Sequence, residues 1–281
     1  MHIKTLIKQF LIWRYKHISQ KNFVLFLSTF VGLLAGLAAV TLKNITYFIQ
    51  NTLEKGIVFS ENHLYFILPI IGLLIVYLIK KYMFSKKLTP SVPPFIKRAV
   101  PSLLYSLLRQ KGLLSYKLIY HPLILAPLTV GFGGSVGLLG PAITSGSAIS
   151  SNLSRLMHID KKTRTLLIAC ATAGAVASMF KSPIAAIVFA VEVFSLDLTF
   201  ASLLPLLIAS ISSVLTSYFF LGDEVLFNFT LTDKFTLHDT AFYIILGIGT
   251  GVASIYFTKI YFAVYAFFDR FKTRFSKLLV G

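Results

Sequence analysis

The stretch GFGGSVGLLGPAITSGS, residues 131–147, decides how this chain is read. It is a glycine-rich interruption between two apolar segments, residues 121–131 before it and a helical run from about Leu139 to His158 after it. In hydrocarbon every backbone N–H and C=O must find a partner. Open backbone at membrane depth therefore survives only where it is buried in protein or lines a polar cavity. A loop that opens into a helix offers free N–H groups at the positive end of the helix dipole. The ligand that suits this arrangement is an anion. Glycine also lets helices approach closely, so every such break has a purely structural reading beside the functional one.

The surroundings of the break are those of a membrane protein. Hydrophobic residues make up 56% of the 281 and charged residues 13%, where a soluble domain carries about 25% charged. The length allows roughly seven to nine membrane segments. The net charge of +17 does not point to nucleic acid, because the basic residues sit at the ends of apolar runs. Lys4, Lys8, Arg14, Lys16 and Lys21 precede the first run; Lys80, Lys81, Lys86 and Lys87 follow the second; Arg270, Lys272, Arg274 and Lys277 close the chain. This is the positive-inside pattern, and it suits an anionic lipid bilayer. It places the N-terminus in the cytoplasm, and the expected location is a cell inner membrane. The run Phe23–Leu42 is too long for a signal-peptide core and lacks a small-residue cleavage site, so it reads as a first span.

Cys170 is the one cysteine, which excludes an internal disulfide and reads as a small core residue. The six histidines are scattered without metal-ligand spacing, so no metal or other cofactor is expected. No His/Asp/Glu/Cys constellation stands near the glycine break, and the protein is not read as an enzyme.

Along the chain, residues 1–22 read as an amphipathic cytoplasmic helix with Trp13 and Tyr15 as interfacial anchors. Residues 23–268 read as the transmembrane domain and 269–281 as a basic tail. Helices are expected over 23–49, where Gly32 and Gly36 stand four apart, and over 63–82. The proline-rich stretch 86–101 cannot be a continuous helix. A helix over 101–114, with Pro101 in its first turn, is too short to cross a bilayer. The run TLLIACATAGAVASM (165–179) is rich in small side chains and reads as packed within a bundle. FKSP (180–183) breaks it; spans at 201–220 and 240–268 follow a helix from Ile184. The fold class is an all-α multi-pass membrane protein with short, broken and partly re-entrant helices, the pattern of channels and secondary transporters.

GFGGSVGLLGPAITSGSAISSNLSR (131–155) resembles the signature of the CLC family of chloride channels and proton/chloride exchangers. There a Gly-Lys/Arg-Glu-Gly-Pro motif opens a helix; here the positions are Gly137, Leu138, Leu139, Gly140 and Pro141. AGAVASMFKSPIAAIVFAVEVF (173–194) resembles the family's small-residue helix, its break and the helix that follows. The N-terminal KQFLIWRYKHISQKNF is similar to bacterial members. A third motif, Gly-Ser-Gly-Ile-Pro, falls by position on Lys97, Arg98, Ala99, Val100 and Pro101. The resemblance implies a chloride site built from residues 137–141 with Val100, Pro101 and Arg98, the last in place of a chloride-coordinating serine.

The departures from the family pattern are mechanistic. The gating glutamate of the opening motif is Leu139 here, and the inner proton-carrying acid is Val193, beside Glu192. With neither carboxylate a proton route has no titratable relay. The expectation is therefore passive chloride transport without a glutamate gate. The family is also built from two inverted halves. The Gly-x-Phe-x-Pro loop and coordinating tyrosine of the second half are not in this sequence, and no internal repeat replaces them. The alternative expectation is a truncated, non-conducting membrane subunit or remnant that requires a separate second half. Its partners would be chloride, the lipid bilayer, and either a second copy in a homodimer or a chain supplying that half.

Overall fold

A computed structural model describes residues 16–17, 19–57, 67–82, 103–107, 112–222 and 236–269. They form two compact units, divided between residues 226 and 227. The first holds helices α1 (Gln20–Ile57), α2 (Leu68–Tyr82), α3 (Lys117–Gly131), α4 (Leu139–Leu156), α5 (Lys161–Phe180), α6 (Pro183–Phe194) and α7 (Phe200–Leu221). The second holds a 3-10 turn at Leu237–Asp239 and α8 (Thr240–Asp269). The protein is all-α, and four of these helices (α1, α5, α7 and α8) are long and apolar enough to cross a membrane.

In the first unit α1, α5 and α7 pack against one another, α4 lies on α1 and α5, α3 on α1 and α4, and α6 on α5 and α7. Small residues set these distances. A Cβ built on Gly32 of α1 would stand 2.8 Å from the Cα of Ala209 on α7, and one on Gly36 would stand 2.9 Å from the Ser213 carbonyl oxygen. No side chain larger than hydrogen fits at either point without moving a backbone. Hydroxyls bind the same seam. Ser213 donates to the Gly174 carbonyl at 2.6 Å, and Ser217 to that of Ser178 at 3.1 Å. Such bonds satisfy polar groups that lipid cannot.

Every residue of α5 from Leu167 to Met179 is buried, as its small-residue composition requires of a bundle-packed helix. α7 is two-faced: Leu206, Ala209 and Ser213 are buried, while Ile211, Leu215 and Phe219 are exposed apolar side chains of a lipid face. Cys170 is buried, with its Sγ 3.8 Å from the Ser28 Oγ.

Several boundaries differ from the sequence reading for local reasons. α1 runs to Ile57 because nothing in Asn51–Gly56 breaks it. α5 begins at Lys161 rather than in the run from 165, because the Asp160 carboxylate accepts the Thr163 N–H at 3.0 Å and starts the helix in what reads as a polar linker. The short helix expected to reach residue 114 is helical over residues 103–107. By Gly112 the backbone has a φ of +71° and the helix has ended. The amphipathic stretch expected before residue 16 and the basic tail from 270 lie outside the described residues.

Candidate functional site

The glycine-rich loop is shaped by α3. After Gly131 the chain makes a helix-ending turn: the N–H of Phe132 donates to Leu128, that of Gly133 to Val130 and that of Gly134 to Thr129. Gly133 has a φ of +87°, a conformation that costs L-residues about 1–2 kcal/mol. A Cβ on Gly134 would fall 2.6 Å from the Thr129 carbonyl oxygen. Both positions therefore require glycine for the loop to close over α3. Residues 135–137 then emerge exposed.

α4 opens at Leu139, and its N-cap residue Leu138 provides no side-chain cap. The N–H of Ala142 is taken by the Leu138 carbonyl at 3.0 Å, and Pro141 has none to give. The N–H groups of Leu139 and Gly140 have no acceptor within the helix, because the first turn has no preceding carbonyls. They lie at the positive end of the α4 dipole. A Cβ on Gly137 would meet nothing within 4 Å. The structure thus places Gly137, Leu138, Leu139, Gly140 and Pro141 in one loop-to-helix turn, open on the Gly137 side among the described residues.

Leu139 does not project a polar group into that opening. It and Leu138 are half-buried against a core cluster that includes Ile143, Ala142 and Val176, alongside Leu123 and Phe189. The position carries no charge and no titratable proton. Val193 is half-buried in the last turn of α6, next to exposed Glu192.

Residues 103–107 follow the Lys97–Pro101 stretch in the chain. Ser106 donates to the Leu113 carbonyl at 3.2 Å. Ser151 of α4 donates to the Gly112 carbonyl at 2.6 Å and accepts the Leu114 N–H at 2.9 Å. Asn152 donates to the Leu114 carbonyl at 3.3 Å. The segment after the short helix is thereby stitched to the side of α4. Arg98, Val100 and Pro101 lie outside the described residues. Among the described residues no group of three or more His, Cys, Asp or Glu side chains could hold a metal ion.

The sequence reading passed over one internal charge. Lys43, in the middle of α1, is 4% exposed and its Nζ donates to the Met179 carbonyl at 3.0 Å. The signal was available, since a lone lysine in the run from Gly32 to Ile49 is out of place in an apolar helix.

Comparison with known proteins gives a consistent picture. Residues 82–281 match the family model described as voltage gated chloride channel. An uncharacterized protein of Methanocaldococcus jannaschii is 29% identical over 160 residues, 56% of this chain and 40% of that protein. Chloride channel protein CLC-f of Arabidopsis thaliana is 27% identical over 158 residues, 54% of this chain and 20% of that protein. The crystal structure of a slow cyanobacterial Cl−/H+ antiporter superposes with a TM-score of 0.74 at 19% identity, covering 93% of this chain and 61% of that one. At that identity the likeness is one of fold. The chain spans less than two thirds of each of these proteins.

Proposed function

The chain belongs to the voltage gated chloride channel family, and from that premise we propose that it forms one side of a membrane pathway for chloride, completed by a second half. The observation that carries the proposal is the start of α4. Uncapped N–H groups at Leu139 and Gly140 stand behind a loop whose Gly137 side has no wall among the described residues. Chloride would sit at residues 137–141, held by backbone N–H groups and the helix dipole. Arg98, Val100 and Pro101 would approach from the short-helix side. Weak binding of this kind permits release, which conduction requires.

Transport through the completed pathway would be passive. Leu139 stands where the family's gating carboxylate would compete with chloride, and Val193 where the inner proton carrier would stand. Apolar side chains at both positions leave no relay between them. The chain would lie in a cell inner membrane with its N-terminus in the cytoplasm, as the lysine and arginine clusters direct. The missing side of the site would come from a further polypeptide segment, within an assembly of the dimeric kind.

The reading is tested by chloride efflux from liposomes reconstituted with the purified chain. Efflux equal to that of empty liposomes is the expected result. Efflux well above it overturns the half-site reading and makes the chain a channel in its own right.

A further inference from the structure

The packed pairs of the first unit rise in step. Gly32 meets Ala209 and Gly36 meets Ser213. The Ser28 Oγ lies 3.8 Å from the Cys170 Sγ, and Ser178 donates to the Gly36 carbonyl at 3.4 Å. α1, α5 and α7 are therefore parallel, and their first residues share one end of the bundle. The α4–α5 turn closes the same end, because Leu153, Met157 and Ile159 pack into one apolar cluster with Phe23 and Leu27 of α1.

That end is basic. Lys21 stands at the start of α1, Arg155 in the last turn of α4, and Lys161 and Lys162 in the first turn of α5; all are exposed. Arg164 is half-buried, and its guanidinium donates to the Ile159 carbonyl at 2.9 Å. The carboxylates at this end are Asp160, which accepts the Thr163 N–H at 3.0 Å, and Glu192 and Asp197, where α6 ends and the chain turns into α7. Glu54 and Glu61 follow α1 in the sequence, and Asp223, Glu224, Asp233 and Asp239 follow α7. Acid therefore gathers where these helices finish, and base where they begin. Apolar surface adjoins the cations: Leu156, next to Arg155, is 47% exposed, and Phe26, beyond Lys21 on α1, is 70% exposed.

We infer that the α4–α5 turn binds the headgroup of an anionic phospholipid, with Lys161, Lys162 and Arg155 on the phosphate, Lys21 beside it, and Leu156 and Phe26 against the tops of the acyl chains. A free phosphate would use the cations and leave the apolar neighbours in water, whereas a lipid uses both. A general bias of positive charge toward one side of the membrane needs lysines anywhere on that side; a headgroup site needs these ones. The inference is independent of the chloride reading, since none of residues 137–141 takes part in it.

The experiment uses the full chain in a Cys170→Ala background, with a fluorophore attached through Asn22→Cys at this end of α1 or through Asn51→Cys at the other; both positions are exposed. The protein is reconstituted in phosphatidylcholine vesicles. Quenching by a small fraction of nitroxide-labelled phosphatidylglycerol is compared with quenching by nitroxide-labelled phosphatidylcholine, and the ratio of the two apparent association constants is the reading. A ratio of roughly tenfold is expected at Asn22→Cys, from about fivefold per basic residue near an anionic headgroup, and a ratio near one at Asn51→Cys. Lys161→Gln/Lys162→Gln lowers the ratio at Asn22→Cys roughly fivefold or more. Lys161→Arg/Lys162→Arg preserves it, and Lys80→Gln/Lys81→Gln leaves it within about twofold. A ratio at Asn22→Cys within about twofold of one overturns the inference, as does an unchanged ratio in the Lys161→Gln/Lys162→Gln protein. An equal fall in Lys80→Gln/Lys81→Gln also overturns it, because spread charge rather than the turn would then attract the lipid. Should the substituted turn fail to fold, the ratio at Asn22→Cys against that at Asn51→Cys, with the lysines intact, decides the matter. A several-fold excess at 22 supports the inference and equal ratios overturn it.

Discussion

On α1 a Cβ at Gly32 would collide with the Cα of Ala209 at 2.8 Å, while before α4 a Cβ at Gly137 would meet nothing within 4 Å. In the sequence the two residues look alike, each a glycine in an apolar neighbourhood. In the fold they do opposite work. Gly32 and Gly36 let α1 and α7 touch backbone to backbone, which is how a bundle gains dispersion and hydrogen bonds where lipid supplies no hydrophobic drive. Gly137 precedes a helix start instead, with open space where a Cβ would stand. The packed seam holds the unit together, and the open turn is where the proposed chloride site lies.

Substitution by alanine separates them most strongly. Gly32→Ala drives a methyl into the α7 backbone, and overpacking of this kind costs about 1–3 kcal/mol. Gly137→Ala adds a methyl in open space at a position whose φ is not left-handed, so its stability change stays within about 0.5 kcal/mol. Thermal unfolding in detergent of both variants checks the contrast. Equal losses would erase the distinction between seam and site. Gly247 and Gly251 of α8 repeat the spacing of Gly32 and Gly36.

The same contrast holds for two helix starts. α5 is capped: Asp160 accepts the Thr163 N–H. Burial would raise that carboxyl, but the Thr163 and Lys162 hydrogen bonds outweigh it and hold it below its ordinary value. α4 has no side-chain cap. Asp160→Ala is expected to cost about 1 kcal/mol at neutral pH. Since the folded pKa is depressed, the charged carboxylate stabilises above the unfolded pKa, and this part is lost as pH falls through the lower folded value. The gap between Asp160 and Asp160→Asn protein, measured by unfolding across pH 3 to 7, should close at the acid end. A gap that stays constant would remove the charge from the cap. Adding an acid at the uncapped start is the converse experiment. In a conducting preparation Leu139→Glu should make chloride flux differ between high and low pH by roughly two- to fivefold, the worth of a carboxylate at a helix N-terminus. Equal fluxes would take this turn out of the anion path.

The sequence was most readable where chemistry is local. The glycine loop, the FKSP break and the small residues of α5 each constrain their own backbone, and each appears in the structure where the residues put it. Contacts between distant positions were not readable. Lys43 meets a carbonyl 136 residues away, and Ser151 meets Gly112 across 39; neither acceptor is marked by its side chain. The Asp160 cap was passed over because a polar linker and a helix start share the same composition. The α4 turn was legible as far as residues 137–141, whereas its proposed partners Arg98, Val100 and Pro101 sit in a proline-rich stretch whose pattern specifies no regular element.

The smallest effect tests the seam itself. Ser213 donates to the Gly174 carbonyl at 2.6 Å in full burial, joining α7 to α5 beside Gly36. Ser135, in the loop before α4, is exposed. Hydrogen bonds between membrane helices average about 0.6 kcal/mol and reach about 1.7 at most, because the separated helices find other partners. Ser213→Ala should therefore lower stability by about that average, with the Gly174 carbonyl falling back on its own helix. Ser135→Ala should leave it unchanged. A loss at Ser213 several times larger would mean that the hydroxyl also holds the glycine contact at Gly36 in register. The seam would then be one cooperative unit, and no sum of single contacts would describe it.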